Sequence, residues 1–330
     1  MAPRVKSIAN LIVKVGIAAA LITFLVRSGH LDPHQVWDLI TPFNVAIAVT
    51  LVGFTTLLSA WRWIVLLKTR GLHLSFGYGL RLYLIGMFFN YALPGAVSGD
   101  LVRAYYLVQD YPDRKMDSAL SVLIDRVLGL YSYFVMSLLA IAMDWNFVMG
   151  NPKLQMVALS CLALFLGMTV FFALSFSRTL YRKSGLSFIL QKVGPLHRLM
   201  EGVHRFGQNP PILALSVASS VVAQLFTMVF FYQLAVMMHE PDITWPAILF
   251  AVPMGFVVTA VPIAPAGVGV GQVAFLYLFQ TYVGHPTQFG SVSITAFQLC
   301  MAIWALVGVV FYLRRRKSSD HLSDLTPVAV

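Results

Sequence analysis

Charge is the scarcest ingredient of this sequence. Only 11% of its 330 residues are Asp, Glu, Lys or Arg, and just two are glutamates, Glu201 and Glu240. No pair of carboxylates stands at helical spacing inside an apolar run, no His-Glu-x-x-His zinc motif occurs, and no P-loop is present. These absences argue against carboxylate-pair catalysis, zinc peptidase chemistry and direct use of ATP. Cysteine is nearly missing too. Cys161 and Cys300 both fall within apolar runs, which fits packing residues and excludes a disulfide framework or a thiolate metal site. The net charge of +10 sits in a few short segments. It is not spread along groove-facing helices, so no nucleic-acid partner is expected.

What fills the chain instead is apolar surface. Hydrophobic residues make up 58% and the mean hydropathy is +0.78, which places the chain among polytopic, all-α membrane proteins. A helix needs about 20 apolar residues to cross a bilayer. Six runs qualify: Ile8–Val26, Phe43–Leu67, Ala119–Met143, Leu154–Phe176, Ile212–Met238 and Val292–Leu313. The first lacks a small-residue cleavage site and is expected to stay as a span, with Lys14 snorkelling to the surface. Two further runs are broken. Leu80–Leu93 stops at Pro94 and resumes as Leu101–Val108, and Ala247–Val261 runs into PIAPAGVGVGQ and resumes as Val273–Val283. None of these pieces is long enough to span alone, so each pair is expected to form a re-entrant helical hairpin.

The positive-inside rule supports this parsing. Arg4 and Lys6, then Arg62, Lys68, Arg70 and Arg81, then Arg114 and Lys115, the Arg178–Arg205 segment and the tail Arg314–Lys317 all fall on one side, taken as cytoplasmic. The stretches around Asp32 and Asp38, Asp144–Asn151 and His239–Asp242 fall on the other. Both termini are then cytoplasmic, in the cytoplasmic membrane. Residues 1–317 form one membrane domain, with pseudo-repeats over about 1–145 and 150–317, and residues 318–330 a disordered tail. The order span, span, hairpin, span recurs with opposite orientation. Gly99–Leu107 aligns without gaps to Gly271–Phe279, with Gly on Gly and Tyr105 on Tyr277. Inverted repeats with broken helices are a transporter pattern.

Irregular backbone at membrane depth is tolerated where it is buried in protein or lines a wet cavity. The first break, Asn90-Tyr-Ala-Leu-Pro94-Gly-Ala-Val-Ser98-Gly99-Asp100, opens a helix for which Ser98 is a candidate N-cap, and a helix start favours anions. Arg103, one turn on, adds a fork suited to phosphate. It equally suits a plain i, i+3 pair with Asp100. Asp125 and Arg126 lie deep in the third span, where ionisable groups face the bundle interior. One arrangement has Asp125 neutralising Arg103 or Arg81 while Arg126 faces an anionic ligand; a salt bridge locking hairpin to span is the other. In the second break, Pro265, Gly267, Gly269, Gly271 and Gln272 occupy the matching place. Gln224, Gln233 and Gln298 are expected to act as interhelical glue. Arg62, within Trp61-Arg-Trp63, is expected to anchor the interface. The Arg178–Arg205 segment has the apolar spacing of a helix lying on anionic lipid.

Three stretches, NYALPGAVSGDLVRAYYL (90–107), SVLIDRVLGL (121–130) and PIAPAGVGVGQVAFLYLF (262–279), resemble the lysylphosphatidylglycerol synthase transmembrane region, a family of flippase-like integral membrane proteins. In that family the third motif usually carries an acid where this chain has Gln272. The aminoacyl-transferase domain of the bifunctional synthases does not follow Lys317, so lipid aminoacylation is not expected. The resemblance implies a transporter rather than an enzyme, moving a lipid with an anionic or modified head group. The head-group contacts it implies are Asn90, Pro94, Ser98, Gly99, Asp100, Arg103, Asp125, Arg126, Pro265, Gly267, Gly269, Gly271 and Gln272. Membrane lipids are the expected partners, no cofactor or metal is expected, and a homo-oligomer is left open. The competing expectation is a membrane enzyme acting on lipid-linked sugars through Asp32 and Asp38.

Overall fold

The computed structural model describes residues 19, 22–92, 98–176, 194–260 and 267–324, without the side chains of 194–199 and 316–324. Every regular element among these residues is helical. A short α1 (Pro33–Asp38) precedes the span α2 (Pro42–Lys68), then α3 (Phe76–Ala92) and α4 (Ser98–Asp110). A 3-10 turn leads to the span α5 (Lys115–Met143), the short α6 (Trp145–Gly150) and the span α7 (Pro152–Phe176). There follow α8 (Gly194–Phe206), the span α9 (Pro210–Met237), α10 (Trp245–Thr259), α11 (Val270–Val283) and the long α12 (Phe289–Asp324).

Five helices, α2, α5, α7, α9 and α12, are long and apolar enough to cross a membrane. They are five of the six expected spans. The remaining run, Ile8–Val26 with Lys14, lies almost wholly outside the described residues, which show helix over 22–27. Most of the Arg178–Arg205 segment is also outside them. The helix of α12 continues past Lys317 to Asp324, into the stretch read as a tail.

Local chemistry sets the helix ends. Asp32 caps α1 by accepting the His34 N–H at 2.8 Å, and Thr41 caps α2 by accepting the Asn44 N–H at 3.3 Å. A proline follows each cap at the first helical position, where its missing N–H costs nothing. At the start of α11 the Gln272 side chain reaches back to the Gly269 N–H at 2.8 Å, and Gly284 ends the helix in the left-handed region.

The broken runs fold back on themselves. In α3 and α4, Tyr78 donates to Asp110 at 2.6 Å, Gly86 meets Gly99, and Asn90 accepts the Gly99 N–H at 2.9 Å. These partners descend on one arm as they rise on the other, so the arms are antiparallel. A Cβ on Gly99 would run into the Gly86 carbonyl oxygen, so the glycine pair lets the two backbones touch. In α10 and α11, the Phe250 and Tyr282 rings lie 5.4 Å apart, the Phe275 ring covers Gly255, and Thr259 packs on Gly271. This too is an antiparallel hairpin.

The two hairpins open at opposite ends of the bundle. Arg315 of α12 reaches Tyr78 at 2.6 Å and Asp110 at 3.2 Å, at the end where Arg70 pairs with Asp117. Tyr282 instead donates to Asp144 at 2.5 Å, beyond the far end of α5. Packing follows the same logic. Helix α3 lies along α12 as α10 lies along α5, α4 packs on α5 as α11 packs on α12, and α2 lies along α9. The α2–α9 seam carries a polar contact, Thr55 to the Ala223 carbonyl at 3.1 Å. The main core surrounds the second hairpin, where Phe231 stacks on Phe275 and both Phe230 and Phe231 pack against Phe297. Both cysteines are free and buried there, as packing residues should be.

Candidate functional site

Between the hairpins runs a row of five side chains of alternating charge. Arg62 of α2 donates from Nε to Asp125 Oδ1 at 2.8 Å. Asp125 Oδ2 accepts from Arg103 Nη2 at 3.1 Å, and the same nitrogen reaches Asp100 Oδ1 at 3.2 Å. Asp100 Oδ2 accepts from Arg126 Nη1 at 2.6 Å. Arg126 Nη2 then reaches the Ala260 carbonyl at 3.4 Å, just past the end of α10. Arg126, on α5, thereby joins the first hairpin to the second.

Burial grades along the row. Asp125 is 2% exposed, Arg103 4% and Arg62 7%, whereas the Arg126 side chain is 31% exposed. Charges this deep must be paired. Arg62 also donates to Ser220 of α9 at 2.5 Å and lies against Gly129, where a Cβ would come within 3.2 Å of its Nη1. Arg103 is held between the Trp63 and Tyr83 rings, at 4.5 and 4.9 Å. Trp63 is fixed in turn by its Nε1–H to Ser121 at 3.2 Å. The Arg103 Nε has no hydrogen-bond partner among the described residues. The row itself holds three guanidinium groups and two carboxylates.

The open end of the row borders a cavity of about 220 Å³ between the hairpins. Arg126, Asn90, Tyr91, Tyr133, Thr259 and Gln298 supply its polar lining, and Phe256, Ile294, Phe297 and Met301 its apolar walls.

A family model described as the lysylphosphatidylglycerol synthase TM region matches residues 11–309. The chain belongs to that family. It is a multi-pass membrane protein. Comparison with curated proteins and with solved structures gives no match. The buried row lies within the matched region of this synthase-region member, and both hairpins do as well.

The structure brings Asp100, Arg103, Asp125 and Arg126 together, and Asn90 joins Arg126 at the cavity. Arg103 takes both expected partners, Asp100 and Asp125. Arg81 is not among them; it lies at the mouth of the first hairpin, 5.6 Å from the Phe311 ring. Ser98 is the first residue of α4 and donates to the Phe89 carbonyl at 2.9 Å. Gly267 and Gly269 take positive φ, 70° and 83°, at the start of α11. Gln272 is buried, donating to Thr295 at 3.1 Å and Gln298 at 2.8 Å, and Gln298 in turn lines the cavity. Pro94 and Pro265 lie outside the described residues.

Arg62 is the residue that sequence reasoning placed wrongly. Flanking tryptophans suggested an interfacial anchor, but the side chain turns inward and neutralises Asp125. Depth was the available signal. Arg62 lies six residues inside the Lys68 end of α2, about 9 Å by helical rise. Gln224 behaves as expected of interhelical glue, bonding Ser132 of α5 at 2.6 Å.

Proposed function

We propose that the chain is a flippase-like transporter that carries a lipid with an anionic or modified head group, phospholipid or polyprenyl-phosphate-linked, across the cytoplasmic membrane. The observation that carries this is the Arg126 guanidinium, which ends the charged row and lines a cavity between two opposed hairpins. A cavity of about 220 Å³ suits a head group, while the acyl or prenyl chains stay in the bilayer. An arriving phosphate replaces Asp100 on Arg126, and Asp100 keeps its bond to Arg103. The phosphate thus finds a guanidinium already oriented, without any new charge entering the protein unpaired.

The six-span, two-hairpin architecture with an inverted repeat belongs to the same proposal. It is supported by the exchange of packing partners between halves, α3 on α12 for α10 on α5. The Arg-rich end is then cytoplasmic. Without a P-loop, transport is downhill, ion-coupled, or driven by removal of lipid on the far side.

The test is translocation in proteoliposomes, read from the quenching of fluorescent phosphatidylglycerol and phosphatidylcholine in the outer leaflet. The wild type moves the anionic lipid faster, and Arg126→Gln slows it about tenfold or more, the loss of one charge-assisted contact. Equal rates for Arg126→Gln and wild type would refute the assignment. A second reading, an enzyme on lipid-linked sugars, has one observation in its favour: Asp38 and Glu240 share a cavity of about 330 Å³ at the opposite end. It predicts the reverse pattern, with activity lost in Asp38→Asn and kept in Arg126→Gln.

A further inference from the structure

A second arginine site lies at the mouth of the first hairpin, away from the buried row. A cavity of about 320 Å³ there is bounded by Tyr78, Arg81, Leu82 and Ile85 of α3 and by Phe311, Arg314 and Arg315 of α12. Arg315 is fixed in place. It donates to the Tyr78 hydroxyl at 2.6 Å and to Asp110 at 3.2 Å, and it stacks 4.4 Å over the Tyr106 ring. Asp110 is the carboxylate at this mouth, and Tyr78 and Arg315 already occupy it. Arg81 and Arg314 are exposed and form no ion pair among the described residues. Arg81 sits over the Phe311 ring, which holds its fork at the cavity rim.

The site therefore has at its rim two guanidinium groups without an ion pair among the described residues, and an apolar floor of Leu82, Ile85 and Phe311. A soluble anion has no use for that floor. An amphiphile has a use for both parts, with phosphate on the arginines and the first carbons of its chain along the floor. Two guanidinium forks side by side favour a doubly charged phosphomonoester over a singly charged phosphodiester. The level in the bilayer also fits, because the apolar stretch of α12 gives way to Arg314 here. We propose that this is a binding site for the phosphomonoester head group of a membrane lipid, distinct from the cavity between the hairpins and independent of whether the chain translocates lipid.

The alternative is diffuse attraction, since any basic end of a membrane protein collects anionic lipid. An equal-charge control separates the two. Binding of dioctanoyl phosphatidate, dioctanoyl phosphatidylglycerol, dioctanoyl phosphatidylcholine and inorganic phosphate is measured on the full chain in uncharged detergent. The wild type should bind the phosphatidate most tightly. Arg81→Gln/Arg314→Gln should weaken it about a hundredfold, roughly tenfold for each lost fork. Lys68→Gln/Lys115→Gln removes the same charge from exposed positions at the same end, and should change binding less than about threefold. Either arginine substituted alone should give an intermediate loss, with the unfolding temperature as a check on folding. Equal weakening by the arginine and lysine pairs would overturn the site. So would inorganic phosphate binding as tightly as the phosphatidate, or phosphatidylcholine doing so.

Discussion

Replacing Asp125 with asparagine tests whether the buried row is an electrostatic unit. The substitution keeps the shape and removes one charge. Asp125 receives Arg62 at 2.8 Å and Arg103 at 3.1 Å, and all three side chains are buried. At an effective dielectric of 20, those two contacts are worth about 6 and about 5 kcal/mol of gross attraction by Coulomb's law. Much of this offsets the desolvation of the three ions, so the net loss is smaller. Removing one partner of a buried pair typically costs about 3–5 kcal/mol, because the remaining charge is left uncompensated. Here two guanidinium groups would share one neutral acceptor, so Asp125→Asn should fall in the upper part of that range. The measurement is unfolding of the purified protein in mixed micelles of rising denaturing-detergent content. The decisive comparison is with Arg103→Gln and the double variant. Arg103→Gln/Asp125→Asn restores the original charge balance of the row. It should therefore be more stable than the sum of the single effects predicts, by about 1 kcal/mol or more. Additivity within about 0.5 kcal/mol would show that the residues do not act together, and the electrostatic reasoning would fall.

Other substitutions address separate features. Gly99→Ala places a methyl against the Gly86 carbonyl and should destabilise the protein by about 1–3 kcal/mol, whereas Gly77→Ala, with open space around it, should be silent in the same unfolding assay. Gly129→Ala crowds the Arg62 guanidinium and should lower stability in wild type by more than in Arg62→Met, a difference a double-mutant cycle reads directly. Asp32→Ala removes a cap and should cost about 1 kcal/mol while leaving lipid translocation unchanged. His285, exposed beyond α11, donates when protonated to the Pro286 carbonyl and, at 3.0 Å, to Asp242, and both contacts raise its pKa. Its contribution to stability is present below its unfolded pKa of about 6.5 and is lost as pH rises through the raised folded value. Proton NMR titration should show that value falling toward 6.5 in Asp242→Asn.

Elements set by length or by broken pattern were legible in the sequence. A span has to be apolar for about 20 residues, so α2, α5, α7, α9 and α12 announced themselves. The two interruptions were legible because proline and glycine break runs that otherwise look like spans, and the helices flanking each break, α3 with α4 and α10 with α11, pack antiparallel. Four of the five residues of the charged row were legible, Asp100 and Arg103 beside the first break and Asp125 and Arg126 through their depth in α5. Side-chain direction was not legible. Arg62 between two tryptophans has the composition of an interfacial residue, and only the rotation of α2 against α5 turns it toward Asp125. The aromatic clamp on Arg103 was hidden for the same reason, since Trp63 and Tyr83 come from two other helices. Gln272, singled out for opening α11, proved to spend its amide on Gly269, Thr295 and Gln298.

The glycine contact between α3 and α4 limits how the first hairpin can move. Its arms touch backbone to backbone at Gly86 and Gly99 and are tied at the mouth by Tyr78 and Asp110. Prising them apart like tweezers would expose those surfaces and break both ties at once. In the proposed transport, motion then falls where the hairpin packs on α12 and α5, as a wedge moves in a slot. A flexible bis-thiol cross-link between the arms, from cysteines placed at positions 78 and 110, should leave lipid movement intact. One between α3 and α12, at positions 88 and 312 whose rings lie 6.3 Å apart, should stop it.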